Sequence, residues 1–248
     1  MSSSPRDRYL TVAGRNPVLE ALADDTLTIA KVLIASNARG EPIEQIRRSA
    51  SARNITVERV PEQKVTSVAK SSRHHQGVIA DVVAPAMSNL ADFLERRQRG
   101  RDWATNLLLL DSVHNPANVG MILRAAVGAG IDGVVIPTRG TADIGPLVIK
   151  ASAGVAFRAP ILRAETAADA AMMLRESQFA VVGLDAGGAD LYDAELPDRV
   201  AYVLGNEAAG VTLETDYDLA IPLASEVESL NVATAAAVLC FEVVRRSR

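Results

Sequence analysis

Short runs of Val, Ile and Leu alternate with Ala-rich segments of helical length from residue 106 onwards, and this alternation limits the possible folds more than any other feature. Strands are predicted at residues 106–113, 133–137, 159–164, 179–186, 200–205 and 219–223. Helices are predicted at residues 118–130, 146–154, 166–177 and 231–246. Apolar runs of this kind are typical of strands that helices cover on both faces of a parallel sheet. The sequence therefore predicts an α/β fold with a parallel sheet over residues 106–248.

The first 85 residues are predicted to form a separate and smaller α/β unit. It is expected to contain helices at residues 16–24 and 41–54, strands at 29–36 and 55–60, and a helix leading through a turn into a strand within 65–84. Residues 86–105 are polar and charged, and we interpret them as the end of a helix followed by a linker. This segment holds four arginines and the only tryptophan, Arg96, Arg97, Arg99, Arg101 and Trp103. They form either a solvated helix face or an RNA contact.

Charge is unevenly distributed along the chain. The net charge is −4, which by itself argues against a nucleic-acid partner. Residues 1–100, however, hold 15 Lys and Arg against 11 Asp and Glu, whereas residues 101–248 hold 11 against 19. Because attraction to phosphate depends on the local field rather than on the total charge, the N-terminal half is compatible with RNA binding. Ordinary scatter of charge is the alternative explanation.

Cysteine and histidine are too scarce for an internal disulfide or a cysteine-based metal cluster. Cys240 is the only cysteine, which favours a reducing compartment. The three histidines include the neighbours His74 and His75, but no cysteine joins them, so we expect no bound metal. The N-terminal segment lacks the apolar core of a signal peptide, and no apolar run approaches the roughly 18 residues of a membrane span. These features predict a soluble, cytoplasmic protein without membrane association.

Gly128, Gly130 and Gly133 match the G-x-G-x-x-G pattern of dinucleotide-binding proteins. In that motif the glycines lie between a strand and the N-terminus of a helix, whose free N–H groups bind a pyrophosphate. Here the order is reversed, because the glycines follow a predicted helix and precede a predicted strand. We therefore expect Gly128 and Gly130 to end the helix in left-handed conformations and Gly133 to begin the strand.

Polar residues cluster after three of the predicted strands, within residues 115–124, 205–210 and 221–231. Ligands in open α/β sheets bind beyond the carboxyl ends of the strands, so three such loops indicate one composite pocket. Each cluster also has a simpler explanation when taken alone. Asn118 and Ser229 would serve as helix N-caps, and residues 205–206 would form a turn.

Taken together and in order, these clusters resemble the three motifs of the SpoU/TrmH branch of the SPOUT RNA methyltransferases, over residues 107–248. The three patterns are Asn118-x-Gly120-x3-Arg124, then Leu204-Gly205-Asn206-Glu207-x2-Gly210, then Ile221-Pro222 with Ser229-Leu230-Asn231-Val232. Residues 12–22 and 74–82 are similar to the L30e-like substrate-binding domain that many members carry. The likeness is to bacterial 23S rRNA ribose methyltransferases and to the thiostrepton-resistance type.

The resemblance implies an α/β fold with a parallel sheet and a C-terminal trefoil knot, preceded by a small L30e-like α/β domain. The implied domains are residues 1–85 for binding RNA substrate, 86–105 as a linker and 106–248 as the SPOUT methyltransferase domain. Members transfer the methyl group of S-adenosylmethionine to a ribose 2′-hydroxyl and form homodimers through the knotted domain. The implied partners are therefore RNA, with rRNA as the expected substrate, and a second copy of the chain.

The resemblance also assigns residues to three roles by position. The catalytic set is Arg124, Asn118, Glu207, Ser229 and Asn231. The cofactor-binding set, expected to act largely through backbone groups, is Leu184, Gly205, Asn206, Ile221, Leu223 and Leu230. The RNA-binding set is Arg15, Arg73, Gln76, Lys150, Ser152 and Arg158.

Arg124 is the general base that the family's mechanism proposes, although a guanidinium is normally charged and has no acceptor. Arg124 either loses its proton transiently or orients the ribose and phosphate, and we favour orientation. The chain departs from the family pattern at Ala208 and Ser225, where glycine is usual, and loop shape is expected to change there. A tRNA ribose methyltransferase and an RNA-binding member with weak catalysis are the alternatives.

Overall fold

The computed structural model describes residues 9–69, 75–98, 104–206, 208–224 and 229–246. The chain divides into two compact units, and the second begins at Ala86. None of the helices in the described ranges is long and apolar enough to cross a membrane.

The N-terminal unit is a four-stranded mixed sheet with three helices. Its elements are β1 Tyr9–Ala13, α1 Arg15–Ala23, β2 Ile29–Ala35, α2 Glu41–Ala52, β3 Val57–Val60, α3 Glu62–Ala69 and β4 Val78–Val83. The strand order is β1-β4-β2-β3, in which β4 runs antiparallel to β1 and β2, and β2 runs parallel to β3. Strand β1 was not predicted, because its five residues are too few to show a clear period and only the pairing with β4 defines it.

The C-terminal unit is a seven-stranded sheet in which every pair of neighbours is parallel, as the alternating pattern predicts. Its strands are β5 Ser88–Asn89, β6 Thr105–Leu110, β7 Gly133–Pro137, β8 Ile161–Ala164, β9 Ala180–Asp190, β10 Arg199–Leu204 and β11 Tyr217–Ala220. Its helices are α4 Leu90–Gln98, α5 Pro116–Ala129, α6 Pro146–Ala151, α7 Ala167–Glu176 and α8 Val232–Arg246. The last strand, β11, lies two to three residues earlier than the predicted run at 219–223.

The order of the strands explains where a ligand can bind. From edge to edge it is β11-β9-β10-β6-β7-β8-β5. The chain thus runs outward from β6 to β8, returns to the far side of the sheet for β9, and inserts β10 between β9 and β6. A reversal of this kind opens a crevice at the carboxyl ends of the strands, which is where open α/β sheets bind ligands.

The segment interpreted as a linker, residues 86–105, contributes instead to the C-terminal unit. Strand β5 pairs with β8, and α4 buries Leu90 and Leu94 in the apolar core of this unit. These two leucines are four positions apart on one helix face, and Phe93 packs against the same core. Residues 99–103, including Arg99, Arg101 and Trp103, lie outside the described residues.

The glycines of residues 128–133 mark the end of α5 and the start of β7, as predicted. Gly130 caps α5 in the left-handed conformation, with φ of 75°, and Gly133 begins β7. A Cβ on Gly133 would lie 2.6 Å from the side chain of Leu162, so any larger residue there would force that leucine to shift. The expectation for Gly128 was wrong, since this residue lies inside the last turn of α5 and its φ is not positive.

A buried carboxylate anchors the end of α8. Glu242, whose side chain is 5% exposed, forms ion pairs with Arg245 at 2.8 Å and Arg246 at 2.6 Å. Arg246 also donates hydrogen bonds to the carbonyl oxygens of Leu191 and Ala194, in the segment after β9. The hydrogen bonds from Arg245 and Arg246 lower the pKa of Glu242 from 4.5 to about 2. This network ties the last helix to the segment that follows β9.

The depressed pKa of Glu242 predicts acid sensitivity. Because the carboxyl titrates near 4.5 in the unfolded chain and near 2 in the folded one, its contribution is complete above about pH 5 and is lost as the pH falls toward 2. Since Arg245 is largely exposed, we expect Glu242→Gln to cost only about 1–2 kcal/mol at pH 7, and less at pH 3.5. Urea unfolding at both pH values measures this difference. Glu176→Gln, at an exposed site on α7, is the control, and an equal loss at both pH values would contradict the prediction.

Candidate functional site

A cavity of about 340 Å³ lies where β10 and β11 end, beside the middle of β9. Three segments line it. The first lies within β9, the second begins at the last residue of β10, and the third follows β11 and continues into α8: Leu184, Asp185 and Ala186; Leu204, Gly205, Asn206, Ala208 and Gly210; and Ile221, Leu223, Ser229, Leu230, Val232 and Ala235. Its volume is within the range of small-molecule sites, and its lining is mostly apolar with a few polar groups, as such sites usually are.

All six residues of the predicted cofactor-binding set line this cavity: Leu184, Gly205, Asn206, Ile221, Leu223 and Leu230. Of the predicted catalytic set, Ser229 also lines it. Glu207 lies outside the described residues, as do Arg73 and Ser225.

The loop after β10 is shaped by a very close approach of two backbone segments. A Cβ on Gly205 would lie only 2.1 Å from the carbonyl carbon and oxygen of Gly210, so no other residue fits there. Two backbone hydrogen bonds, of 3.1 and 2.9 Å, join Asn206 and Gly210. The Oδ1 atom of Asn206 also accepts from the N–H groups of Ala208 and Ala209. The chain therefore closes into a tight loop that presents main-chain groups to the cavity.

Ala208, where the family pattern has glycine, fits this loop. Its φ is not positive, so its backbone does not require glycine. Among the described residues of this loop, Gly210 takes the left-handed conformation, with φ of 67°. The backbone conformation of Ala208 therefore gives no reason for the change of loop shape that was expected there.

Asp185 is a cavity residue that the sequence reasoning missed. It is the only ionisable side chain among the described residues that line the cavity. One carboxylate oxygen accepts from the N–H of Gly187 at 2.9 Å. Its position directly after Leu184, at the end of a predicted strand, is the signal that could have revealed it.

A hydrogen bond between two asparagines links the first motif to the third. Asn118, which is 3% exposed inside α5, accepts through Oδ1 from the side-chain amide of Asn231 at 3.3 Å. Asn231 in turn accepts from the N–H of Ala233 at the start of α8. The helix caps are thus Asn115 for α5, with Oδ1 accepting from Ala117, and Asn231 for α8. The alternative explanations of Asn118 and Ser229 as N-caps are wrong.

Arg124 lies on the exposed face of α5 and is not part of the cavity lining. Within the described part of the chain, no residue forms a hydrogen bond or ion pair with its guanidinium. Its neighbour one turn earlier on the same face, Met121, is also exposed. The guanidinium is therefore available to a group that approaches from outside the chain.

Gly120 is required for packing. A Cβ at this position would lie 2.6 Å from the Val148 carbonyl oxygen and 2.9 Å from the Ser152 backbone nitrogen, so α5 approaches α6 closely. Ser152 itself is completely buried, donates to Ile149 and accepts from Ala156. Its assignment to RNA binding is corrected, since its hydroxyl is used inside the fold. Lys150 and Arg158, on either side of it, are exposed.

In the N-terminal unit, the predicted RNA contacts Arg15 and Gln76 touch each other. The backbone N–H of Arg15 donates to the Gln76 side chain at 3.1 Å, and its Nε donates to the Gln76 carbonyl at 3.3 Å. Together with Asn37 and Arg39 they line a shallow depression. His75 is buried, with Nδ1 accepting from Gly77 and Nε2 lying 3.1 Å from the Thr66 hydroxyl. It therefore shapes this loop from inside.

Two glycine-to-alanine substitutions in α5 test the packing of the first motif. Gly120→Ala is expected to lower the free energy of unfolding by about 1–3 kcal/mol, because the new methyl group would meet the backbone of α6. Gly128→Ala, whose Cβ has no neighbour closer than 4.0 Å, is expected to gain about 0.5–1 kcal/mol from helix propensity. Denaturant unfolding of both variants is the measurement, and equal effects would contradict this packing.

Comparison with known proteins defines the class to which this fold and cavity belong. Residues 105–241 match the SpoU rRNA Methylase family, and residues 11–87 match the RNA 2′-O ribose methyltransferase substrate binding domain. A protein described as a TrmH family tRNA/rRNA methyltransferase of Staphylococcus saprophyticus is 32% identical over 244 residues, which cover 96% of each chain.

Solved structures agree with this class. A TrmH family RNA methyltransferase from Porphyromonas gingivalis superposes with a TM-score of 0.63 and 29% identity, covering 97% of this chain and 91% of that one. An AdoMet-bound rRNA methyltransferase from Sinorhizobium meliloti gives 0.61 and 25%, covering 97% and 88%. The protein is therefore an RNA methyltransferase that uses S-adenosylmethionine. It belongs to the SpoU rRNA Methylase family.

Proposed function

We propose that this enzyme methylates a ribose 2′-hydroxyl of RNA, with 23S rRNA as the substrate, in the cytoplasm. The observation that carries the proposal is the hydrogen bond between Asn118 and Asn231, which connects the helix bearing Arg124 to the loop lining the cavity. This bond holds α5, which would position the RNA ribose, next to the third loop, which would bind the cofactor. The match of residues 11–87 to a ribose methyltransferase substrate-binding domain supports the 2′-hydroxyl as acceptor.

The cavity fits the cofactor through main-chain and apolar groups. Leu184, Ile221 and Leu230 offer apolar surface for adenine, and the tight loop of Gly205 and Asn206 offers backbone donors and acceptors. When bound, S-adenosylmethionine supplies a methyl group already activated on a sulfonium. The chain therefore needs to position the acceptor hydroxyl and assist removal of its proton.

Arg124 is proposed to orient the ribose and its neighbouring phosphate. A guanidinium offers several donors in a fixed plane and matches phosphate geometry, but it has no acceptor for a proton. Its exposure, without a partner in the described chain, leaves those donors available to RNA. Asn118 and Asn231 would hold α5 and the third loop in register, and Ser229 and Glu207 are proposed to complete the site.

RNA is proposed to contact both units. In the N-terminal unit, Arg15 and Gln76 form one proposed contact point, and in the C-terminal unit Lys150 and Arg158 form another. Arg73, which lies outside the described residues, is assigned to RNA binding from the sequence alone. Arginine and lysine contacts to phosphate supply affinity, while sequence selectivity in RNA usually comes from unpaired bases.

A homodimer formed through the C-terminal unit is part of the proposal. Met121 on α5 and Phe241 on α8 are exposed by 43% and 55%, and these two helices pack side by side. Arg124 lies on the same face of α5 as Met121. A second copy that covers this apolar surface would bring its own groups next to Arg124.

We also propose that the C-terminal segment forms a trefoil knot, which the close crossing at Gly205 supports.

Substitution of Arg124 tests the reaction. In RNA from cells that lack the gene, one 2′-O-methylated nucleotide of 23S rRNA is expected to disappear, and the wild-type gene should restore it. Arg124→Ala is expected to reduce methylation by about 100-fold or more, because the ribose loses its alignment, while calorimetry shows unchanged affinity for S-adenosylmethionine. Arg139→Ala, at an exposed arginine that forms an ion pair with Glu165, is the control. Loss of a tRNA methylation would indicate the alternative substrate, and no dependent site would refute the proposal.

Substitution of Phe241 tests the dimer. Phe241→Asp is expected to convert a dimer into a monomer, because it places a charge in the apolar contact. Light scattering coupled to size-exclusion chromatography gives the mass directly. Met172→Asp, at a methionine of α7 that is 56% exposed, is the matched control and should leave the dimer intact. A monomeric wild type, or a dimeric Phe241→Asp, would contradict the proposed interface.

A further inference from the structure

Asp111 is a buried carboxylate whose hydrogen bonds are all made within the fold. It follows β6 directly and is 3% exposed. Its Oδ2 atom accepts from the N–H and hydroxyl of Thr212, at 2.6 and 2.7 Å, and from the N–H of Leu213 at 3.2 Å. Its Oδ1 atom accepts from the hydroxyl of Ser112 at 3.1 Å. A buried carboxylate with so many donors is held firmly, because leaving any of these groups without a partner is costly.

The bonds of Asp111 hold both ends of the loop that follows β10. Its backbone N–H donates to the carbonyl oxygen of Leu204 at 2.9 Å, on the last residue of β10. Its side chain holds Thr212 and Leu213, just beyond the loop. The segment between these points, residues 205–211, contains four of the described residues that line the cavity. The residue that follows β6 therefore holds together the two ends of the loop proposed to bind the cofactor.

Asp111 also begins the connection that leads to Arg124. The next residue, Ser112, is in the left-handed conformation with φ of 58°, so the chain turns sharply there. The carbonyl oxygen of Val113 then accepts from Ala142, and Asn115 caps α5. Asp111 thus holds both ends of the loop that carries the second motif, and it also begins the turn that leads into the first motif.

We propose that Asp111 is a positioning residue that sets the shape of the 205–211 loop and thereby the affinity for S-adenosylmethionine. This inference rests on the proposed role of the cavity in cofactor binding. Asp111 does not line the cavity, so it acts through Thr212 and Leu213 on the backbone of the loop. The role differs from general stabilisation because its expected effect is on cofactor affinity, through the side-chain bonds to Thr212 and Leu213.

Two substitutions separate geometry from charge. Asp111→Ala leaves the N–H groups of Thr212 and Leu213 and the Thr212 hydroxyl without their acceptor. Asp111→Asn keeps one oxygen for these donors, and its amide can donate to the Ser112 hydroxyl. The asparagine variant should therefore retain most of the loop shape without the negative charge.

The test measures cofactor affinity in the full chain by calorimetry with S-adenosylmethionine. Asp111→Ala is expected to raise Kd at least about tenfold, and Asp111→Asn should return it to near the wild-type value. Hydrogen exchange should speed up at residues 205–213 in the alanine variant. In turnover assays, KM for the cofactor should rise while affinity for RNA stays constant. If Asp111→Ala fails to fold, Thr212→Val, which removes one of these bonds, should raise Kd to a smaller extent.

The control is Leu174→Ala, a buried core substitution on α7 in the same unit. It is expected to lower Tm without changing Kd or exchange at residues 205–213. Wild-type affinity in folded Asp111→Ala, or in Thr212→Val where alanine does not fold, would overturn the inference. An equal rise of Kd in Leu174→Ala would also overturn it. Because Kd is measured without RNA, a failure to methylate ribose would refute the proposed function and leave this result interpretable.

Discussion

The parallel pairing of β6 with β10 is the interaction on which the rest of the structure depends. Thr105–Leu110 lies beside Arg199–Leu204 in continuous register, with Leu107 to Leu110 completely buried. Because both strands run in the same direction, the loops that leave them emerge at the same edge of the sheet. These loops belong to motifs about 90 residues apart in sequence, and the burial of this pair of strands holds them within hydrogen-bonding distance through Asp111.

The strands of the sheet and the residues of the cavity could be predicted from the sequence for different reasons. Six of the seven parallel strands follow from the alternation of apolar runs and Ala-rich helices, whereas the two-residue β5 is too short to show any pattern. The cavity residues followed from resemblance, because main-chain recognition leaves no pattern of side chains to read. What could not be predicted depends on packing. Neither the choice of Asn115 over Asn118 as the cap of α5 nor the contact of Gly120 with α6 is visible before the helices are placed.

Three glycines of the C-terminal unit illustrate how one residue type meets separate physical demands. Gly120 allows two helical segments to approach, Gly205 allows two loop backbones to cross, and Gly210 adopts a left-handed turn. Ala208 shows the limit of a pattern, since its backbone needs no glycine even though the family usually has one there. Glycine is needed at each of these positions because of where the backbone runs, and the parallel sheet determines the course of the backbone.

The crossing at Gly205 has a consequence for molecules that would compete with the cofactor. A cavity lined by peptide groups and small apolar side chains offers few positions where a substitution could exclude a competitor. Gly205 cannot accept any side chain, and its contacts with Gly210 are backbone contacts. In the proposed binding mode the cofactor forms hydrogen bonds with this loop. A compound that mimics those bonds would meet backbone atoms that point mutations cannot remove, so resistance would have to arise at residues such as Asp185 and Leu223, whose side chains are exposed.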